Sequence, residues 1–162
     1  MKLKEVLSYF LLVFLFINTS CDLKDNSVNN YYTVTRVIDG DTFVIDDGTK
    51  KGRKIRLIGI DAPETKNTRK KKKGFHSKEA KSFLTELIKS KQVFLEYDIQ
   101  LTDRYGRTLA YAYLTDGTFV NAELVKQGHT QIATFPPNVK YADLFLSLQQ
   151  EARDNNRGLW KK

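Results

Sequence analysis

The chain has 162 residues, a formal net charge of +8 at pH 7 and a single cysteine. The length fits one domain with its own hydrophobic core, and a lone cysteine excludes stabilisation by an intramolecular disulfide. The positive charge predicts attraction to nucleic acid, anionic lipid or another polyanion, although charge alone also allows a soluble basic protein without such a partner.

The first twenty residues carry the pattern of a secretory signal peptide. Two lysines precede a largely apolar run over residues 6–17, which is shorter than the roughly 20 residues that a bilayer-spanning helix needs. Small residues follow, and then Cys21, which resembles the acylated cysteine of bacterial lipoproteins. We therefore expect an exported protein with a signal peptide over residues 1–20 and a flexible tether over 21–30. The alternatives are a plain cleaved signal with a free thiol and an uncleaved anchor.

Strand patterns dominate the next part of the chain. Residues 31–38 alternate between two faces, and a glycine breaks the run before an apolar stretch over residues 42–45. This pattern predicts a hairpin. A second turn over residues 46–49 leads to a third predicted strand over residues 54–60.

A basic run follows over residues 66–73 and contains no apolar residue. Like charges packed this densely repel one another, so the run is expected to lie in a loop. It predicts either an arm that grips phosphate beside the site or a solvated loop that only raises solubility.

The second half of the chain combines helical and strand patterns. Ser77 is a candidate N-cap for a helix. The apolar residues of that helix recur at helical spacing: Ala80, Phe83, Leu84, Leu87 and Ile88. Alternating runs over residues 92–98 and 108–114 predict two more strands. Asn121 is a candidate cap for a short helix, and a last helix is predicted over residues 141–156.

The order of these elements predicts an α+β fold, a β-barrel with helices. Three strands, a helix, two strands and two helices match the five-stranded Greek-key barrel of the oligonucleotide-binding (OB) fold with three helices. We expect the domain to cover residues 31–162, with Trp160 packed on its body. Because this fold often only binds its ligand, the fold alone does not decide the function.

Three short motifs concentrate charge at or near the ends of predicted strands. They cover residues 38–42, 56–64 and 103–107 and supply five carboxylates and three arginines. Clustered carboxylates repel one another unless protons or a metal ion neutralise them, and a guanidinium group matches two phosphate oxygens at once. The combination is typical of a nuclease site. Each motif alone also fits an ordinary charged turn or strand end.

The middle motif has the features of a cation site. Asp61 and Glu64 stand three residues apart where the third strand ends, and Pro63 stiffens the backbone between them, so a carbonyl there could be held toward a cation. Oxygen ligands without a nearby His or Cys suit a hard ion such as Ca²⁺ or Mg²⁺. His76 and His129 are isolated in the sequence, and for each a surface or core role is the better interpretation.

From residue 31 to Trp160 the chain resembles the thermonuclease family of staphylococcal-nuclease-like barrels. Three motifs appear in the order and spacing of that family: Ile-Asp-Gly-Asp-Thr at 38–42, Asp-Ala-Pro-Glu-Thr-Lys at 61–66 and Asp-Arg-Tyr-Gly-Arg-Thr-Leu-Ala-Tyr at 103–111. The resemblance implies a calcium-dependent phosphodiesterase that hydrolyses DNA, RNA or both and leaves 3′-phosphate ends. The alternative is a non-catalytic OB-fold surface lipoprotein that binds nucleic acid or another polyanion.

The resemblance also implies how the carboxylates act. Asp41 and Asp61 correspond to calcium ligands. Ala62 corresponds to a position whose backbone carbonyl is a further ligand, and the family usually has Thr there. Glu64 corresponds to the carboxylate that orients or deprotonates the attacking water, and Asp39 to an outer partner of the ligand shell.

The remaining roles that the resemblance implies concern the substrate. Arg56 and Arg107 correspond to the pair that grips the scissile phosphate, and we expect alanine at either position to lower turnover by orders of magnitude while leaving the fold largely intact. Arg104 and Tyr105 correspond to substrate contacts. Phe135 lies where the family often presents tyrosines, so base recognition there is expected to differ.

The partners expected from these patterns are few. They are DNA or RNA as substrate and a membrane reached through a lipid on Cys21. We predict no protein partner and a monomeric state.

Overall fold

The computed structural model describes residues 31–65 and 74–161, and these residues form a mixed fold of strands and helices. In chain order the elements are β1 (Tyr31–Asp39), β2 (Thr42–Ile45), β3 (Arg53–Leu57), β4 (Gly59–Asp61), α1 (Ser77–Ile88), β5 (Gln92–Glu96), β6 (Thr108–Leu114), α2 (Val120–Lys126), β7 (Gln131–Ala133), α3 (Ala142–Asp154) and a 3-10 helix (Gly158–Trp160). The predicted signal peptide, the tether with Cys21 and the basic run lie outside the described residues. Within those residues, no helix has the length and apolar character needed to span a membrane.

Five strands close into a barrel in the order β1-β2-β3-β6-β5. All neighbours in the barrel run antiparallel except β3 and β6, which are parallel. Each barrel strand contributes buried apolar side chains to one core, among them Val34, Phe43, Ile55, Leu95 and Ala112. The predicted five-stranded OB-type barrel with three helices is confirmed.

The predicted third strand is two strands in the structure. β3 ends at Leu57, and the chain leaves the barrel through Gly59, whose φ of 79° lies in the left-handed region that favours glycine. A Cβ atom at Gly59 would lie 2.5 Å from the Phe145 ring of α3, so any larger residue would also clash with that ring. β4 then pairs with β7 in a separate two-stranded sheet. Strands of three residues are too short to show a periodic pattern.

Two predicted helix caps are wrong. Ser77 is the first residue of α1, and His76 occupies the cap position with a φ of 65°. Asn121 lies inside α2 and is fully buried. Its side chain holds two other elements instead: Nδ2 donates to the Ile58 carbonyl at 2.9 Å, and Oδ1 accepts from the Ala112 N–H at 3.0 Å.

α1 covers the core along the stripe that the sequence predicted. The apolar stripe predicted for the last helix is only partly correct, because Phe145 and Ala152 are buried but Leu144 is exposed. α1 buries Ala80, Leu84 and Ile88, and α3 packs against α2 and β7. Trp160 is partly buried beneath α3, with the Arg153 guanidinium 4.3 Å from the centre of the indole. The prediction that Trp160 packs on the body of the domain agrees with this contact.

Candidate active site

One cleft of about 780 Å³ is lined by every residue that the sequence assigned to metal binding, catalysis or substrate contact. The strand register explains the convergence, because Thr42 lies opposite Arg56 and Arg56 lies opposite Leu109. The three motifs therefore lie side by side at one end of the barrel. The lining residues from the prediction are Asp39, Asp41, Arg56, Asp61, Ala62, Glu64, Arg104, Tyr105 and Arg107.

Arg56 is fixed from several sides. Its Nη1 donates to the carbonyls of Leu57 and Ile60, each at 2.6 Å. Its Nη2 lies 2.9 Å from Asp61 Oδ1 and 3.2 Å from Asp41 Oδ2. Only 13% of its side chain is exposed. The guanidinium group is therefore a rigid part of the floor of the cleft.

Asp41 is buried at the end of the β1–β2 turn, directly before β2, and is held by both oxygens. Its Oδ1 accepts a hydrogen bond from the Thr42 hydroxyl at 2.8 Å, and its Oδ2 accepts one from the Ala62 N–H at 2.7 Å. Burial of a carboxylate is costly unless its oxygens find such donors. These contacts fix the carboxylate against the peptide that follows Asp61.

The chemistry of this donor set fits a hard divalent ion. Asp41 Oδ2 and Asp61 Oδ1 converge on the same Arg56 nitrogen, and the hydrogen bond from Ala62 places that residue's backbone beside Asp41. Two carboxylates and a carbonyl are ligands that Ca²⁺ accepts in proteins. Across residues 31–65 and 74–161 no three His, Cys, Asp or Glu side chains form a metal cluster. The predicted set contains only two side-chain ligands, so it does not need such a cluster.

Arg107 is oriented by the turn that precedes β6. Asp103 Oδ2 accepts from the Arg107 Nε at 2.7 Å, and Asp103 Oδ1 accepts from the backbone N–H groups of Arg107 and Tyr105 at 3.0 and 2.9 Å. Although burial raises the pKa of Asp103, these hydrogen bonds outweigh burial and hold the pKa below its ordinary value. The ionised carboxylate thus anchors the guanidinium group.

A continuous line of contacts joins the two arginines. Arg56 contacts Asp41, the Thr42 hydroxyl donates to Asp41, and Arg107 Nη1 lies 3.4 Å from the same hydroxyl. The Arg107 side chain is 28% exposed and Arg56 is mostly buried. One guanidinium group therefore belongs to the floor of the cleft and the other to its rim, and both can face a single anion between them.

Exposed aromatic rings border this site. Tyr105 is 62% exposed, and the guanidinium carbons of Arg104 and Arg107 lie 4.9 and 5.5 Å from its ring centre. Phe135 also lines the cleft and is 74% exposed. A neighbouring hollow of about 440 Å³ shares both rings and adds Leu109. Rings presented in this way are suited to stacking on unpaired bases.

Asp39 is the last residue of β1 and lies beside Asp41. Burial raises its pKa and the charge of Asp41 adds to the rise, while a hydrogen bond from the Gly40 N–H at 2.9 Å opposes it. The turn is seated tightly, because a Cβ atom at Gly40 would lie 2.7 Å from the Cβ of Ala62 and 2.9 Å from that of Ala80. Glycine thus lets both carboxylates approach the core.

Glu64 stands between the cleft and a second depression of about 440 Å³. The residue is half-buried. Its carbonyl accepts a hydrogen bond from the Gly74 N–H at 3.0 Å, which joins the chain on both sides of the basic run. Glu64 therefore lines the cleft on one side and the second depression on the other.

Three residues that shape the site were not predicted as contributors. Asp103 orients Arg107, Asn121 holds the chain where it leaves β3, and Gln131 pairs with Asp61 through β4 and β7. For Asp103, its position four residues before Arg107 in a turn could have predicted the contact between the two side chains. The other two contacts join positions far apart in the chain, and a single sequence does not reveal them.

Comparison with known proteins places this geometry in a family. Residues 54–162 match the family model described as "Staphylococcal nuclease homologue". The chain is 40% identical to the thermonuclease of Staphylococcus intermedius over 157 residues, which cover 93% of this chain and 90% of the relative. It is 39% identical to the thermonuclease of Staphylococcus hyicus, with coverage of 83% and 78%, and 36% identical to the endonuclease YncB of Bacillus subtilis, with coverage of 80% and 61%. The chain belongs to the staphylococcal nuclease family.

Proposed function

We propose that this protein is a nuclease, a hydrolase that cleaves phosphodiester bonds in DNA, RNA or both. One observation carries the proposal, the line of contacts from Arg56 through Asp41 and Thr42 to Arg107 along one cleft. The thermonuclease and endonuclease relatives support it. The net charge of +8 adds a general attraction for a polyanionic substrate.

The two guanidinium groups would bind the scissile phosphate. Their N–H groups match phosphate oxygens in pairs. Negative charge grows on those oxygens as water attacks, so hydrogen bonds from Arg56 and Arg107 strengthen in the transition state. Because the protein already holds both groups in place, they need little reorganisation during the reaction. An arginine on a transferring phosphoryl group is worth about 10³–10⁵ in rate.

Ca²⁺ is the proposed cofactor. Its ligands would be the carboxylates of Asp41 and Asp61 and the backbone carbonyl of Ala62. The all-oxygen donor set supports this choice, as does the resemblance to the family. When bound, the ion supplies positive charge that polarises a phosphate oxygen.

Glu64 is proposed to orient or deprotonate the attacking water. Its half-buried position at the edge of the cleft leaves it accessible to water and substrate together, and a general base contributes about 10²–10⁴ in rate. Attack by this water forms a new phosphorus–oxygen bond and breaks the bond to the 5′ oxygen. The products then carry a 3′-phosphate and a 5′-hydroxyl. Asp39 would support the ligand shell, and Arg104 and Tyr105 would contact the substrate.

The direct test incubates the purified protein with DNA and with RNA, first with calcium and then with an excess of chelator. We expect cleavage that stops on chelation and resumes when calcium is restored. The 3′ ends should resist polymerase extension until a phosphatase removes the phosphate. Absence of cleavage on both substrates, or cleavage that persists in chelator, would contradict the proposal.

We also propose that the protein is exported and held at a membrane by a lipid on Cys21, with a monomeric nuclease domain on a tether. The sequence pattern of residues 1–30 supports this, and those residues lie outside the described structure. Cells fed a labelled fatty acid should transfer the label to the wild-type chain and not to Cys21→Ser. An unlabelled wild-type chain would contradict lipidation.

A further inference from the structure

Two histidines that are remote in the sequence meet at the start of α1. His76 Nε2 and His129 Nδ1 lie 2.9 Å apart. The two rings are within 15° of parallel, with their centres 5.0 Å apart. The contact joins the cap of α1 to the segment between α2 and β7. It brings together two nitrogens that can each offer a lone pair.

Neighbouring rings hold this pair in place. The Phe83 ring of α1 lies on His129, with the ring centres 4.2 Å apart and the planes 24° from parallel. Phe75 contacts His76 at a centre-to-centre distance of 6.1 Å. Both histidines are half-buried, so solvent still reaches them. The pair is therefore positioned before any ligand arrives, which reduces the entropy lost on binding.

The electrostatic setting suits a cation. Burial lowers the pKa of His129 to about 4, and the nearby His76 adds to the decrease, while the negative charge of Glu79 opposes it. The hydrogen bond between the rings itself requires one of the two nitrogens to carry a lone pair, which is the form in which imidazole binds metals. Glu79, in the first turn of α1, adds a compensating negative charge beside the pair.

We propose that His76 and His129 form a binding site for a divalent transition-metal ion of the Cu²⁺ or Ni²⁺ class. Nitrogens that lie 2.0–2.1 Å from a metal ion and at right angles to one another are about 2.9 Å apart. The two histidine nitrogens already have this separation through their hydrogen bond, so ligation requires the rings to turn toward the ion without moving the nitrogens apart. Cu²⁺ and Ni²⁺ favour such square or tetragonal arrangements with nitrogen and oxygen ligands.

Binding needs no net loss of protons. In the free protein one ring donates its N–H to the other, and the ion takes the place of that shared proton. The donor ring then carries its proton on its outer nitrogen, so both rings ligate as neutral imidazoles. Water molecules fill the remaining positions around the ion.

This site is chemically separate from the carboxylate cleft. Imidazole nitrogens prefer borderline transition metals, whereas the oxygens of Asp41 and Asp61 prefer hard ions. The two sites are nevertheless linked through the backbone, because Gly74 bonds to Glu64 and Gln131 pairs with Asp61. An ion on the histidines would therefore fasten the segment before α1 to the segment before β7.

The test uses Cu²⁺ itself, titrated into the full chain at pH 7.5 in a buffer that does not chelate metals. Electron paramagnetic resonance should show one ion coupled to two imidazole nitrogens, and calorimetry should show one such site. A wild-type spectrum with fewer than two nitrogens would overturn the proposal without any variant.

Two variants assign the ligands. His76→Asn keeps a residue that tolerates positive φ, and His129→Leu keeps the apolar contact with Phe83. Each should lower the affinity by more than the roughly 10–100-fold that loss of an outer partner costs a metal site. Asp61→Asn, the matched control at the cleft, should keep the two-nitrogen spectrum. Circular dichroism checks that each variant is folded. A two-nitrogen spectrum that survives in folded His76→Asn and His129→Leu, or disappears in Asp61→Asn, would overturn the proposal.

Discussion

Replacing Arg56 or Arg107 by alanine should abolish most cleavage. The expectation from the sequence that both replacements leave the fold intact holds only for Arg107, because the contacts of Arg56 also stabilise the fold. Arg107 contacts Asp103 and Thr42 at the rim of the cleft, with 28% of its side chain exposed. Arg56 is 13% exposed and bonds two backbone carbonyls as well as two carboxylates. The difference lies in what each truncation leaves behind in the folded protein.

The magnitudes follow from these contacts. Arg56→Ala takes a donor from the buried carbonyls of Leu57 and Ile60, and each unsatisfied group costs about 1–3 kcal/mol. Asp41 also loses a partner while buried. The pair with Asp61 adds little, because 41% of that side chain is exposed. We expect the free energy of unfolding to fall by roughly 3–5 kcal/mol, and by no more than about 1 kcal/mol for Arg107→Ala.

The expected loss of rate is similar at both positions. An arginine that stabilises a transferring phosphoryl group contributes about 10³–10⁵ in rate. This range corresponds to roughly 4–7 kcal/mol of transition-state stabilisation. For Arg56→Ala the rate should therefore be measured under conditions in which the variant is still folded.

Urea unfolding followed by the fluorescence of Trp160, with single-turnover cleavage of DNA, measures both effects. Arg53→Ala is the matched control, because Arg53 lies on the same strand, is 41% exposed and contacts Asp47 at 3.7 Å. It should resemble the wild type in both assays. An Arg56→Ala variant with wild-type stability would refute the structural part of this reasoning. An Arg107→Ala variant that cleaves within about tenfold of the wild type would refute the catalytic part.

Three other substitutions test separate parts of the site. Glu64→Gln should lower the rate about 10²–10⁴-fold and leave binding of an uncleavable oligonucleotide unchanged; weaker binding with an unchanged rate would argue against a general base. Asn121→Ala should lower the free energy of unfolding by roughly 2–4 kcal/mol, because a buried carbonyl and a buried N–H lose their partner; thermal unfolding measures this, and a wild-type midpoint would contradict it. The hydrogen bonds that lower the pKa of Asp103 stabilise the fold above its unfolded pKa of 3.8, and this contribution is lost as the pH falls through the lower folded pKa. The free energy of unfolding of Asp103→Asn should therefore fall less steeply at acidic pH than that of the wild type. If the two proteins show parallel dependences on pH, this effect is excluded.

The barrel was predictable because its signals are local. Alternating residues and turn residues mark each long strand, and five such strands with three helices allow few closed arrangements. Gly59 was harder to interpret, since an isolated glycine in a strand pattern predicts only an irregularity. Its positive φ and its contact with Phe145 depend on a helix far along the chain.

The wrong caps show where local rules fail. Ser77 and Asn121 both carry side chains that favour cap positions, yet both are buried inside helices. Asn121 instead satisfies a carbonyl and an N–H on two other elements. His76 occupies the cap of α1, and its side chain contacts His129, which is far away in the chain. Tertiary packing decided all three positions, and no window of neighbouring residues contains that information.

The cleft residues were predictable as a set because three motifs carry them, but their mutual contacts were not. The sequence indicated that Arg56 and Arg107 act together on phosphate. It did not reveal that Arg56 also balances Asp41 and Asp61. That dual role has two structural causes. The pairing of β2 with β3 places Arg56 beside Asp41, and the turn at Gly59, after the end of β3, brings Asp61 back toward Arg56.

Substitution of a cleft carboxylate can distinguish a nuclease from a barrel that only binds polyanions. Two unit charges 4 Å apart near a protein surface interact by about 4 kcal/mol, so a carboxylate beside a bound phosphate opposes binding unless a cation intervenes. Asp61→Asn removes one such charge from a side chain that is 41% exposed, so the fold should tolerate it. Without divalent ions, the variant should bind an uncleavable oligonucleotide more tightly than the wild type under either function.

Calcium then distinguishes the two functions. In a nuclease, calcium should strengthen binding of the oligonucleotide by the wild type, and Asp61→Asn should lose both this effect and the cleavage of ordinary DNA. If the protein only binds nucleic acid, calcium should change the oligonucleotide affinity of neither the wild type nor Asp61→Asn. Asp61→Asn should then still bind more tightly than the wild type. Fluorescence anisotropy with a labelled oligonucleotide, in chelator and in calcium, measures both cases. If oligonucleotide binding by the wild type does not depend on calcium and the wild type leaves ordinary DNA intact, the protein is a barrel that only binds.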